Sequence, residues 1–217
     1  MTCCHRCISS KMFDSKTARR ELRRFQRRGP NAQTKRMLAA IETRSLPAQP
    51  TLLDIGGGVG AIHHVLLEHG FAAATHVDAS AAYLAAAEDE ARRRGHAERV
   101  RFQLAEFPVE ADAVPPADVV TLDRVVCCDP DYARMLGAAA ARARRLLAFS
   151  YPRPRWLIRV VLAAANGVQW LMRSRFRAFV HPPAGMHAIL EAAGMRPAWA
   201  GGTWIWAVEV FERAASA

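Results

Sequence analysis

The chain has 217 residues, 51% of them hydrophobic, enough to bury one substantial core but hardly two, since domains usually run about 100–200 residues. Its formal charge of +10 sits at one end: residues 1–44 carry 12 Lys and Arg against 3 Asp and Glu, and the rest is nearly neutral. The cysteines (Cys3, Cys4, Cys7, Cys127 and Cys128) form two tight clusters, which argues against a disulfide-stapled secreted fold, and neither a signal peptide nor a run of about 18 apolar residues is present. A reducing, cytoplasmic setting is expected.

Asp14 to Arg28 is predicted to be a helix, with Asp14 as N-cap and Gly29-Pro30 as its stop. Arg19, Arg20, Arg23, Arg24, Arg27 and Arg28 form two stripes at i,i+4 spacing and leave Ala18, Leu22 and Phe25 as a narrow apolar seam. Such a helix can dock only by a thin edge. Its charge suits an anionic partner, whether a lipid surface that would make the protein peripheral on the membrane, RNA or an acidic substrate, and equally suits plain solvation. Asn31 can cap a second helix reaching Thr43, and Pro47 and Pro50 mark a linker. Residues 1–47 therefore read as a basic helical extension and 48–217 as the main domain.

From Thr51 the pattern alternates. Strands are predicted at Thr51–Ile55, Ala74–Asp78, Arg99–Leu104, Asp118–Leu122 and Leu146–Tyr151, and helices at Ala61–His69, Ser80–Arg94 and Tyr132–Arg145. This order implies an α/β fold with a mostly parallel sheet covered on both faces. Arg196–Ala200 and Trp204–Arg213, joined through Gly201-Gly202-Thr203, can only be an antiparallel hairpin and bring the sheet to seven strands. Between them, Arg155 to Arg173 is a helix with one thin polar stripe. It reads as a wall or lid of an apolar pocket, a dimer contact, an interfacial helix on anionic lipid, or a buried core helix.

Chemistry concentrates in Leu53-Asp54-Ile55-Gly56-Gly57-Gly58-Val59-Gly60, where a strand ends and a helix begins. Glycines there permit a sharp turn and close ligand approach, and the helix N-terminus offers free N–H groups. Asp78, at the end of the next strand, stands where a carboxylate can bind ribose hydroxyls. An NAD(P)-dependent oxidoreductase could use the same loop. Asp54 two residues before the first glycine, the further glycine Gly60 and the closing hairpin together resemble the class I S-adenosylmethionine-dependent methyltransferases, whose fold is Rossmann-like. The resemblance covers Thr51 to Arg213. The segments Arg124–Asp131, Phe149–Arg153 and Phe179–Pro183 are further similar to small bacterial methyltransferases of undefined substrate, some of them labelled by analogy with magnesium-protoporphyrin O-methyltransferases.

The resemblance implies that the cofactor is S-adenosylmethionine. It assigns the methionine portion to the backbone of Gly56, Gly57, Gly58 and Gly60, with Asp54 shaping the loop or reaching the cofactor's ammonium through water. It further assigns the ribose to Asp78, the adenine end to Glu106 and Phe107, and the opposite side to Asp123. Candidate bases for an acceptor that must lose a proton are His181, Tyr151 and Asp123. A carboxylate acceptor would need no base and could be held by Arg124, Arg153 or His181. The expected acceptor is a small, partly apolar molecule. An RNA-binding protein or RNA methyltransferase using the arginine helix is the alternative, although the Asn/Asp-Pro-Pro-Tyr/Phe signature of nucleobase methylation is lacking. No metal ligands are assigned. Cys127 and Cys128 are expected to pack, and Cys3, Cys4, His5 and Cys7 lie too close together for usual zinc spacing.

Overall fold

A computed structural model describes residues 14–174 and 176–214. The N-terminal cysteine cluster lies outside them. In chain order the elements are α1 (Ser15–Arg28), α2 (Ala32–Glu42), β1 (Thr51–Ile55), α3 (Ala61–Glu68), β2 (Ala73–Asp78), α4 (Ala81–Arg94), β3 (Val100–Leu104), the short α5 (Phe107–Glu110), β4 (Ala117–Leu122), α6 (Tyr132–Arg142), β5 (Ala143–Pro152), α7 (Trp156–Leu171), α8 (Pro183–Ala192), β6 (Met195–Gly202) and β7 (Trp206–Arg213). The sheet order is β3-β2-β1-β4-β5-β7-β6, with β1 to β5 parallel and β7 antiparallel to both its neighbours. The expected seven-stranded, Rossmann-like α/β architecture with its closing hairpin is what forms.

Period-two alternation divides the central strands between two cores. Leu53, Ile55, Val120, Leu122, Leu147 and Phe149 point to the side where α6 and α8 pack through Leu136, Met186 and Leu190. Leu52, Val119, Leu146, Val208 and Val210 point to the other, against Met37 and Ile41 of α2 and Ile62 and Leu66 of α3. The second predicted helix is thus a full member of the core. The six arginines of α1 face solvent, and its seam buries Ala18 and Phe25 against Tyr83 and Ala86 of α4. Gln26 adds a hydrogen bond to Glu90 of 2.7 Å.

Several boundaries differ from the expectation, and three differences have a clear cause. α6 stops at Arg142 instead of Arg145, because Ala143 pairs with Ala117 and Arg213 of β7 donates to the carbonyls of Ala140 and Ala143. The hairpin turn is Thr203–Ile205, closed by the Trp206 amide donating to Thr203 Oγ1, so both strands are displaced relative to the predicted glycine turn. Helix α8 was not among the expected elements; Pro183 occupies its first turn, where the missing N–H costs nothing.

Helix α7 is not a core helix. Ile158 is its one buried residue, while Trp156 and Trp170 are 75% and 71% exposed. No helix among the described residues is long and apolar enough to cross a membrane.

Candidate active site

The strand order reverses between β1 and β4, and open α/β sheets bind ligands at the carboxyl ends flanking such a point. Gly56 follows β1 there. Gly56, Gly58 and Gly60 take φ of 61°, 58° and 82°, a region that side chains resist. The Gly56 amide donates to Val77 O and that of Gly60 to Gly57 O, folding the loop onto β2 and the start of α3. A Cβ on Gly56 would lie 2.5 Å from Val125 Cγ2, and one on Gly57 2.5 Å from Asp54 Oδ2.

The cavity at this point is lined by Gly56, Gly58, Asp78, Glu106, Phe107 and Asp123, six of the residues expected to hold the cofactor. Asp78 accepts from the amides of Gly58 (3.1 Å) and Ser80 (2.8 Å), yet burial outweighs them and pushes its carboxyl up to about 6. Asp123 accepts from Thr34 Oγ1 of α2 and Ser150 Oγ of β5, both at 2.5 Å, so its carboxylate is locked in place. Asp54 and Gly57 line a neighbouring recess behind the loop, and Gly60 serves as the N-cap of α3. Asp54 is wholly buried, takes a 2.8 Å hydrogen bond from Thr121 Oγ1, and is raised by burial. It shapes the loop from beneath.

The remaining candidates separate. Arg124 lines the cavity with φ of 63°, its amide donating to Ser150 Oγ. Arg153 does not line it; its guanidinium donates to Gly201 O and Thr203 O and clamps the hairpin turn. His181 also stands outside the lining: its Nε2 lies 3.1 Å from Val126 O and 2.9 Å from Asp129 O, with the ring between Tyr132 and Phe179. A nitrogen facing two carbonyls carries the hydrogen and cannot collect another. Tyr151 donates to Glu209 at 2.6 Å, and burial together with that carboxylate raises its phenol. Helix α7 contributes nothing to the cavity wall.

Among the wall residues that the sequence reading did not assign to the site are Glu21 of α1, Tyr83 of α4, Val125, Cys128 and Met135. Burial and the Glu21 carboxylate raise the Tyr83 phenol. Cys127 packs as expected, whereas Cys128 reaches the cavity, its thiol 3.5 Å from Arg124 O. Glu21 is the single acid of α1, and its position makes that helix part of the site.

A glycine cradle that a Cβ would obstruct, a ribose-type carboxylate on β2 and an acid with an aromatic after β3 fit an adenosyl sulfonium cofactor. Comparison with known proteins agrees. A family model described as a methyltransferase domain matches residues 20–197. No curated protein sequence matches the chain. Among solved structures, magnesium protoporphyrin IX methyltransferase from Synechocystis PCC 6803, with bound S-adenosylhomocysteine, superposes with a TM-score of 0.74 at 18% identity, covering 96% of this chain and 99% of that one. An O-methyltransferase family 2 protein from Planctomyces limnophilus in complex with apigenin gives 0.67 at 18% identity over 92% of this chain and 62% of that one. A TehB-like S-adenosylmethionine-dependent methyltransferase from Corynebacterium glutamicum gives 0.64 at 14% identity over 92% and 98%. With the family model spanning most of its length, the chain belongs to the methyltransferase-domain family and is an S-adenosylmethionine-dependent methyltransferase.

Proposed function

We propose that the enzyme methylates an oxygen of a small, partly apolar acid, held by Arg124 beside Val125, Cys128 and Met135. The observation that carries this reading is the engagement of the candidate bases. His181 faces two backbone carbonyls, Tyr151 donates to Glu209, and Asp123 is held by Thr34 and Ser150. An acceptor that arrives as a carboxylate needs no base. Arg153 is committed to the hairpin carbonyls, which leaves Arg124 as the cation in the cavity wall.

When bound, the cofactor supplies an electrophilic methyl group on sulfonium. The chain's part is alignment and exclusion of water. Gly56 and Gly58 receive the methionine portion, Asp78 the ribose and Glu106 with Phe107 the adenine. Arg124 orients the acceptor oxygen by charge-assisted hydrogen bonds. The apolar residues beside it accept the remainder of the molecule, in keeping with the flavone bound in the Planctomyces structure.

The test is incubation of the purified enzyme and methyl-labelled cofactor with a whole-cell extract, from which RNA and small metabolites are then separated. Label in an alkali-labile small-molecule ester is the expected result, with Arg124→Ala raising KM for that acceptor at least tenfold while cofactor affinity changes little. Label confined to RNA would replace this reading with one in which the exposed arginines of α1 bind nucleic acid. Label in an alkali-stable ether or amine would leave the enzyme class standing and remove the carboxylate.

A further inference from the structure

Asp54 of β1 and His76 of β2 are register partners on adjacent parallel strands, and their side chains share the sheet face covered by α3. His63 of α3 comes down between them. All three are 0% exposed. His63 Nδ1 lies 3.1 Å from His76 Nδ1 and 3.5 Å from Asp54 Oδ2, and one potential ligand atom of each residue falls within 4.8 Å of the other two. Thr121 Oγ1 donates to the other carboxylate oxygen and turns Oδ2 toward the histidines.

Protons cannot satisfy this group. His63 Nδ1 carries either one hydrogen or one lone pair. With a hydrogen, it can serve His76 Nδ1 or the more distant Asp54 Oδ2 but not both well. With a lone pair, it can accept from His76 and then presents that lone pair to the carboxylate. A proton placed on Asp54 competes with His76 for the same lone pair. Asp54 Oδ2 is accordingly a buried oxygen with no hydrogen-bond partner, a costly condition, and the more so for a charged group. A divalent cation takes all three lone pairs at once. Tetrahedral zinc, with bonds of about 2.0–2.1 Å to histidine nitrogen and carboxylate oxygen, spaces its ligands about 3.3 Å apart, which falls between the two separations found here.

We propose that Asp54, His63 and His76 form a binding site for a divalent transition cation of the zinc class, set beneath the cofactor loop. Two imidazoles and one carboxylate are a donor set that suits zinc and cobalt better than magnesium or calcium, which prefer all-oxygen surroundings. His64 and His96 form a separate pair alongside, with Nδ1 atoms 3.1 Å apart. The site couples directly to the loop. A Cβ on Gly57 would strike both Asp54 Oδ2 and His76 Cε1, so this glycine lets the loop backbone lie on the ligands.

The experiment uses the full chain with Cys3, Cys4 and Cys7 replaced by serine, which removes a competing thiol set. The protein is stripped with chelator, shown by circular dichroism to remain folded, and titrated with cobalt(II). Expected are one equivalent of bound cobalt, visible d–d absorption without a thiolate charge-transfer band, and displacement by one equivalent of zinc. Asp54→Asn and His76→Gln, each checked for native circular dichroism, should lose the signal, and His64→Gln should keep it. Folded protein that takes up neither metal at micromolar concentration overturns the proposal. So does a thiolate band, or uptake undiminished in both ligand variants.

Discussion

The Gly58 amide donates to Asp78 Oδ2 across 3.1 Å, so the loop proposed to receive the methionine portion and the carboxylate proposed to receive the ribose are fastened to each other. Asp78→Asn keeps the shape and removes the charge. Hydrogen bonds to charged groups contribute about 1.5–3 kcal/mol, so S-adenosylhomocysteine should bind about 10–100-fold more weakly to the variant by calorimetry. The pH dependence follows from the carboxyl being raised to about 6 by burial. The ionised form is the acceptor; affinity should be level above pH 7 and fall by up to about tenfold per pH unit below 6. A level profile down to pH 5 would separate Asp78 from the ribose.

Gly56 tests the loop itself. Alanine there meets Val125 Cγ2 and keeps the unfavourable φ of 61°. Gly56→Ala should abolish detectable cofactor binding. Adding Val125→Ala removes the steric part and leaves a backbone cost of about 1–3 kcal/mol, so the double variant should recover measurable affinity. Equal loss in both variants would show that the Val125 contact is irrelevant.

Much of this arrangement is legible in the chain because it is local. A strand, a glycine turn and a helix occupy adjacent residues, and Asp78 ends a strand while Glu106 and Asp123 closely follow one. Glu21 and Tyr83 were not legible as wall residues: they come from helices whose own patterns say only which side is apolar, and their meeting depends on how α1 lies across α4. His63 and His76 belong to different elements, and only the register that pairs His76 with Asp54 brings them together. Helix α7 stayed open between several readings for a related reason. A helix apolar on most sides is normally covered, and sequence cannot show that this one stays exposed.

Glu90 fastens the N-terminal helix. It accepts from Gln26 of α1 and from Arg93 and Arg94 on its own helix; burial works against the charge, but these partners win and hold the carboxyl near 2. A carboxyl depressed in the folded state contributes stability that is complete above its ordinary value of 4.5 and lost as pH falls toward 2. Glu90→Ala should therefore destabilise the protein by about 1.5–3 kcal/mol at pH 7 in denaturant titrations. The difference from wild type should shrink steadily between pH 4.5 and 2.

His181 yields a prediction about chemistry. Its Nε2–H ties Val126 O to Asp129 O, and these carbonyls belong to the segment that carries Cys128 into the cavity. His181→Ala should lower stability by about 1–3 kcal/mol by removing the hydrogen bonds to the Val126 and Asp129 carbonyls. The shape of the pH–rate profile should not change. Disappearance of an acidic limb from kcat would instead identify His181 as the proton acceptor.

Helix α1 reaches the cavity wall through Glu21 and docks on α4 through Ala18, Phe25 and the Gln26 bond. The placement of one wall of the cavity is thereby tied to an apolar strip on a segment otherwise made of arginine.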